Sequence, residues 1–254
     1  MSVIKSFFIA FSIYSKIPVP QFAWKDEDMR YTLCFFPLVG AVIGMILFGW
    51  AWLCIRFGIG KLAYVLVGTA IPLAISGGFH VDGFMDTMDA FHSYQPREKK
   101  LEILKDSHVG AFAVIMLALY YLIYIAAFSE IGTMPSLKIF CVGFVLSRVL
   151  SGLGVVFFPS AKKEGMLHYF ADSAQEKVVK IVLFLELLCC VGVMLWFSLT
   201  TGILTVAAAL FTFGYYRWRT NRELGGITGD TAGYFVTVCE AVIAIAAAVG
   251  TYLQ

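Results

Sequence analysis

The sequence predicts an all-α fold: a polytopic integral membrane bundle of about seven transmembrane helices plus an N-terminal interfacial helix. Three observations predict it. The 254 residues are 60% hydrophobic and only 14% charged, against roughly 25% charged in a typical soluble domain, which leaves too few charged side chains to cover a soluble exterior. Apolar runs recur at the length a bilayer demands, about 20 residues at about 1.5 Å each across about 30 Å of hydrocarbon. Lys and Arg concentrate in alternate loops, as cytoplasmic loops of membrane proteins do.

In chain order, "SVIKSFFIAFSIYSKIPVP" comes first. Ile4, Phe8 and Phe11 fall on one helical face with Lys5, Ser12 and Lys16 away from it, which predicts a helix lying in the membrane interface. A signal peptide is the competing reading, but no small-residue cleavage site follows. Pro18 and Pro20 stop the helix. Seven spans then follow at about 31–55, 61–79, 109–130, 137–158, 178–198, 202–218 and 232–253. The fifth and sixth form one apolar stretch, split near Thr200-Thr201-Gly202 because a single helix of that length would overshoot the bilayer. No loop has room for a soluble domain, so residues 1–254 form a single membrane-embedded catalytic domain.

Basic residues set the orientation. The N-terminal segment carries Lys5, Lys16, Lys25 and Arg30, and the second loop Arg97, Lys99, Lys100 and Lys105. Lys162, Lys163, Lys177 and Lys180 mark a later loop, and Arg217, Arg219 and Arg222 the segment 217–230. The intervening loops are poor in charge. The basic loops are assigned to the cytoplasm. A net charge of +2 gives no argument for nucleic acid. The six cysteines all lie in apolar runs without a CxxC pair, so they read as small buried hydrophobes.

The chain spends its few acids in one place, "GGFHVDGFMDTMDAFH" at 77–92. If the helix breaks at Ser76-Gly77-Gly78 and resumes near Asp82, then Asp82, Asp86 and Asp89 share one face. Carboxylates stacked near a low-dielectric boundary repel one another. A divalent cation relieves that repulsion, and Mg²⁺ commonly joins a few carboxylates to substrate phosphates and water. A solvated acidic face is the plain alternative, weakened by the placement after an apolar run and a Gly-Gly break.

Other residues join this site as candidates. Lys105, Asp106 and His108 stand in "KDSHVGAF" before the next span, where Asp106 or Ser107 would also serve as a helix cap. "PREKKLEILKD" reads as an amphipathic helix with Leu101 and Leu104 toward the membrane, its cations either neutralising phosphates or, as the plainer reading, facing water. "LGGITGDTAG" supplies Gly225, Gly226 and Gly229 for close backbone approach. Asp230 opens the last helix there, where free N–H groups favour phosphate, although a tight turn with an Asp cap explains the same residues. Arg148 lies mid-span, where a charge is costly and usually functional. It pairs with Glu186 or Glu240, or it binds a substrate anion.

"GGFHVDGFMDTMDAF" followed by "KLEILKDSHVGAFAV" resembles the signature of the cobalamin synthase (adenosylcobinamide-GDP ribazoletransferase) family. "YSKIPVP", "FFPLVGAVIG", "SRVLSGLGVVFFPSAKKEGM" and "LGGITGD" resemble its other blocks in order. Departures are small: Phe79 and Met85 stand where smaller or aliphatic residues are common, and Phe91-His92 where glycine-rich sequence often follows. The resemblance implies a Mg²⁺-dependent transferase of the bacterial inner membrane with its active site at the cytoplasmic face. It would join α-ribazole, or its 5′-phosphate, to adenosylcobinamide-GDP with release of GMP. On that reading Asp82, Asp86 and Asp89 hold the metal. Asp82, His80 and Asp106 are the catalytic candidates, the last two as proton acceptors. Lys105, His108, Arg148, Gly225, Gly226 and Asp230 contact substrate.

Two other classes compete. A membrane prenyltransferase also binds Mg²⁺ and a diphosphate through aspartates, but usually with a second aspartate-rich motif, and here the second station has Asp230 alone. A transporter would use Arg148, Glu186 and Glu240 as an ion path, yet the acids cluster at one face and no inverted repeat is evident. Gly143, Ser147, Ser151 and Gly154 could pack helices within one chain or between copies.

Overall fold

The computed structural model describes residues 2–161 and 175–253, all helix and connection apart from one isolated bridge. Lys162 and Lys163 of the predicted basic loop lie outside the described residues. The helices are α1 (Ser2–Tyr14), α2 (Asp26–Met29), α3 (Thr32–Phe57), α4 (Lys61–Ser76), α5 (Phe79–His92), α6 (Arg97–Ile103), α7 (Ala111–Ser129), α8 (Met134–Phe157), α9 (Glu176–Phe197), α10 (Leu199–Leu224) and α11 (Gly229–Tyr252). Six of them are long and apolar enough to cross a membrane, and the α4–α5 pair makes a seventh span with a break. The protein is a multi-pass membrane bundle.

α8 and α11 form its centre, with 72% of each spanning window buried, against 22% for α7 and α9. Small residues let the backbones meet. Gly40 and Gly44, a G-x-x-x-G pair on α3, lie against the α8 carbonyls of Phe144 and Cys141. A Cβ at Gly40 would also fall 2.9 Å from the Arg148 side chain. This is the small-residue packing expected between helices in lipid, where close approach supplies the attraction. Gly143, one of the small residues singled out for packing, faces Ile243 of α11 within the same chain.

The break expected at Ser76-Gly77-Gly78 is present: the span ends at Ser76, and Gly77 and Gly78 take left-handed φ values of 64° and 81°. The next helix starts at once from Phe79, not near Asp82, and is turned by 92°. Two other boundaries are corrected. The α9–α10 joint is Ser198, not Thr200–Gly202. Its backbone is extended, its Oγ caps α10 by accepting from the Thr201 N–H, and Gly202 packs on the α9 backbone at Met194. α10 then runs on to Leu224, so Arg217, Arg219 and Arg222 belong to a helix about 39 Å long and not to a loop.

The N-terminal helix also differs from expectation. α1 packs on α3 and α2 through Ser6, Ile9, Ala10 and Phe11, whereas Ile4 is exposed. Lys5 pairs with Asp28 at 3.0 Å, and Ser6 Oγ donates to the Asp28 carbonyl at 2.6 Å. These polar anchors rotate the helix away from the purely apolar face the sequence suggests.

Contacts sort the helix termini into two ends. At one, Lys16 N donates to Ile75 O, Ala161 N to Ile227 O, and Ile227 N to Pro159 O, each at 2.8 Å. At the other, Gly132 N donates to Thr251 Oγ1 at 3.3 Å, and Tyr252 bonds Glu130. The acidic stretch lies at the first end.

Candidate active site

The site is assembled by the approach of α5 and α11. Gly83 lies so close to α11 that a Cβ there would be 2.6 Å from the Asp230 carbonyl oxygen, and one at Gly233 would be 3.0 Å from the His80 carbonyl oxygen. Thr237 Oγ1 adds a hydrogen bond to His80 O at 3.1 Å. Residues without side chains are required at this crossing. Its consequence is that Asp230, in the first turn of α11, sits beside the residue that follows Asp82.

Asp82 is exposed, and Asp86 and Asp89 are half-buried on the same flank of α5. Asp82 lines an open cleft of about 450 Å³ with Lys16, Ser12 and the Gly77-Gly78 break. The stem of Lys16 lies across Gly77, in space that any β-carbon there would fill. The Asp89 carboxylate rests on Gly110 at the start of α7, where again no β-carbon fits. The three carboxylates thus run in a row and do not converge. Among the described residues no three His, Cys, Asp or Glu side chains close into a metal cage. What the flank offers is hard oxygen ligands one helical turn apart, with open cleft around Asp82. That fits Mg²⁺ held by one or two carboxylates and completed by substrate phosphate and water, the usual arrangement for this ion.

Asp230 is not the cap of α11. Thr228 caps it, accepting from Thr231 N at 3.2 Å, while Thr231 Oγ1 accepts from Thr228 N at 2.8 Å. The Asp230 side chain stays beside the cap, with Oδ2 3.4 Å from Thr228 Oγ1. Asp106 is not a cap either, since α7 begins after Gly110 without a side-chain cap. Asp106 instead accepts from the His108 N–H at 3.0 Å and lies 2.6 Å from His108 Nδ1. The hydrogen bond from His108 lowers the Asp106 pKa, and the same bond raises that of His108. Lys105 is exposed beside them.

Four expectations change. Arg148 is not placed to meet substrate: it is 1% exposed and gives Nη1 to Glu240 Oε1 at 2.6 Å and to Phe144 O at 2.8 Å. Of its two predicted partners, Glu240 is the one reached. His80 does not stand with the carboxylates. Residues 80 and 82 are about 200° apart on a helix, so His80 points into the core, buried among Tyr14, Phe36 and Phe79. Gly225 and Gly226 serve the turn. Gly225, at φ 72°, ends α10 under the Arg97 guanidinium, and Gly226 lies against the backbone of residues 159–161. On α6, Lys100 does not face water but is buried in an ion pair with Glu223 of α10, which fastens α6 to the bundle. Leu101 is half-buried and Leu104 buried against the core.

The sequence model of the cobalamin-5-phosphate synthase family matches residues 6–248. The chain belongs to that family. A protein named adenosylcobinamide-GDP ribazoletransferase from Lachnoclostridium phytofermentans is 44% identical over 97% of this chain and 94% of its own length. Proteins of the same name from Geobacillus thermodenitrificans and Clostridium perfringens are 34% and 30% identical over 90% and 93% of this chain, and 89% and 94% of their own lengths. No solved structure matches the chain. Within this cobalamin synthase fold, sequence reasoning missed Lys16. In the sequence it reads as a topology signal, and only the glycine at position 77, which leaves room for its stem, hints at its place.

Proposed function

We propose that this protein is an adenosylcobinamide-GDP ribazoletransferase that works with Mg²⁺ and cleaves a phosphoanhydride. The observation that carries the reading is the carboxylate flank of α5, turned out of its span by the Gly77-Gly78 break and joined by Asp230 across Gly83. A ribose hydroxyl of α-ribazole, or of its 5′-phosphate, forms a bond to the corrinoid-side phosphorus of the diphosphate. The bridging P–O bond breaks, GMP leaves with the electron pair, and the hydroxyl proton passes to a base.

Such transfers depend on positioning and charge neutralisation more than on covalent help from the protein. Asp82 and Asp86 would hold Mg²⁺, with Asp89 or Asp230 at the margin. The ion, when bound, neutralises the diphosphate and the departing GMP. Lys16 faces the same cleft as Asp82 and would take a phosphate oxygen from the opposite wall. The Asp106 carboxylate, exposed at the same end and kept ionised by the His108 hydrogen bond, is the proton acceptor of this scheme, since His80 is buried on the other side of α5. Concentration of Lys and Arg at this end supports a cytoplasmic orientation in the bacterial inner membrane.

The test is product analysis. Purified protein given adenosylcobinamide-GDP, α-ribazole and Mg²⁺ should release GMP in step with a joined corrinoid product. Release of pyrophosphate from a prenyl diphosphate, with no GMP from the corrinoid, would place the protein among the prenyltransferases instead.

A further inference from the structure

Behind the carboxylate flank, five helices leave a slot. Its walls are Tyr14 at the end of α1, Phe36 of α3, Phe79 and His80 at the start of α5, Ser151 of α8 and Ala232 of α11. We propose that this slot seats the aromatic base of the nucleoside acceptor, with the ribose at its mouth. The inference rests on the transferase reading and names a specificity pocket within it.

The slot has about 480 Å³ of free space counted with its mouth. Its walls suit a flat ring. Tyr14 and Phe36 ring centres are 4.2 Å apart, Phe36 and His80 5.5 Å, and Tyr14 and Phe79 5.7 Å. This aromatic cluster offers faces and edges for offset stacking.

Polar groups are few. His80 is 5% exposed, and its Nε2 has no hydrogen-bond partner among the described residues. A buried imidazole nitrogen without a partner is costly, and a ring nitrogen of a base is one group that would satisfy it.

Position links the slot to the chemistry. Phe79 lines both this slot and the cleft that holds Asp82, and Gly229, also in the slot wall, immediately precedes Asp230. A base held here brings its ribose toward the flank where the diphosphate would be neutralised.

The experiment combines turnover with equilibrium dialysis of labelled α-ribazole, on the full chain in detergent. Ala232→Leu and, separately, Ser151→Val narrow the slot, and thermal unfolding reports whether each folds. Each folded variant should raise the KM and the dissociation constant for α-ribazole about tenfold or more and leave the KM for adenosylcobinamide-GDP unchanged. Unchanged α-ribazole binding in both folded variants, or an equal rise in both substrates' KM, overturns the slot. If wild-type protein releases no GMP but binds α-ribazole, and the variants lose that binding, the slot stands and the transferase reading falls. If wild-type protein does not bind α-ribazole, the slot falls.

Discussion

The two ends of the bundle are built from the same kind of helix and finished differently. At the opposite end, helices stop in short connections: Gly58 in left-handed backbone, Thr133 capping α8, and Ser198 joining α9 to α10. Few charges are present there: Arg56, Lys61, Lys138 and Glu130, with Lys61 and Glu130 in an exposed pair at 3.9 Å. At the site end a span is broken and turned by 92°, α5 carries three carboxylates along one flank, and Lys100, Glu223, Arg97 and Lys16 brace the pieces. The difference teaches where the cost of polar groups is accepted. A helix that only crosses the membrane needs caps, whereas one that carries carboxylates to a boundary needs a break, a glycine crossing and cations.

The largest effect should separate the ends outright. Asp82→Ala is expected to lower turnover about 10²-fold or more, the size seen when one electrostatic contact to a transition state is removed, with the protein still folded in membranes. Lys61→Ala at the other end should leave turnover unchanged. Initial-rate assays of both variants check this, and equal losses would erase the distinction.

The next effect concerns the centre between the ends. Arg148→Met strands Glu240 in the core, and breaking a buried pair typically costs about 3–5 kcal/mol. Denaturation in mild detergent should show that loss, and Arg148→Met/Glu240→Met should recover most of it. If the double variant is as unstable as the single one, the pair is not what holds this region.

A smaller effect reports on the loop before α7. Asp106 raises the His108 pKa, so the imidazolium persists to higher pH than in an isolated histidine. The contribution of the pair is complete below the ordinary histidine pKa and is lost as pH rises through the raised one. In Asp106→Asn the His108 ring-proton titration, followed by NMR, should move down toward the ordinary value. An unmoved midpoint would show that the two side chains do not interact in solution.

Much of this was legible in the sequence, for physical reasons. Spans show themselves because hydrocarbon demands length and apolarity together, and six long helices plus a broken one appear where those runs lie. The acidic flank shows itself because spacings of three and four residues recur on one helical face. The partner of Arg148 was hidden. Glu186 and Glu240 are equally apolar in setting, and only the packing of α8 on α11 selects Glu240. Lys100 and Lys16 were hidden too, because a lysine's fate depends on what its stem lies across. His80 was nearer to being readable: its angle from Asp82 on a helix already places it on the other side.

The most direct test of the central claim is the rate of GMP release from adenosylcobinamide-GDP and α-ribazole as free Mg²⁺ is varied, for wild type and Asp82→Asn. Wild-type activity should vanish in excess EDTA, return saturably with Mg²⁺, and need much more of it, or fail to return, in Asp82→Asn. Full wild-type activity in excess EDTA, or an identical Mg²⁺ dependence in the two proteins, would contradict the assignment of metal-assisted transfer to the α5 carboxylates.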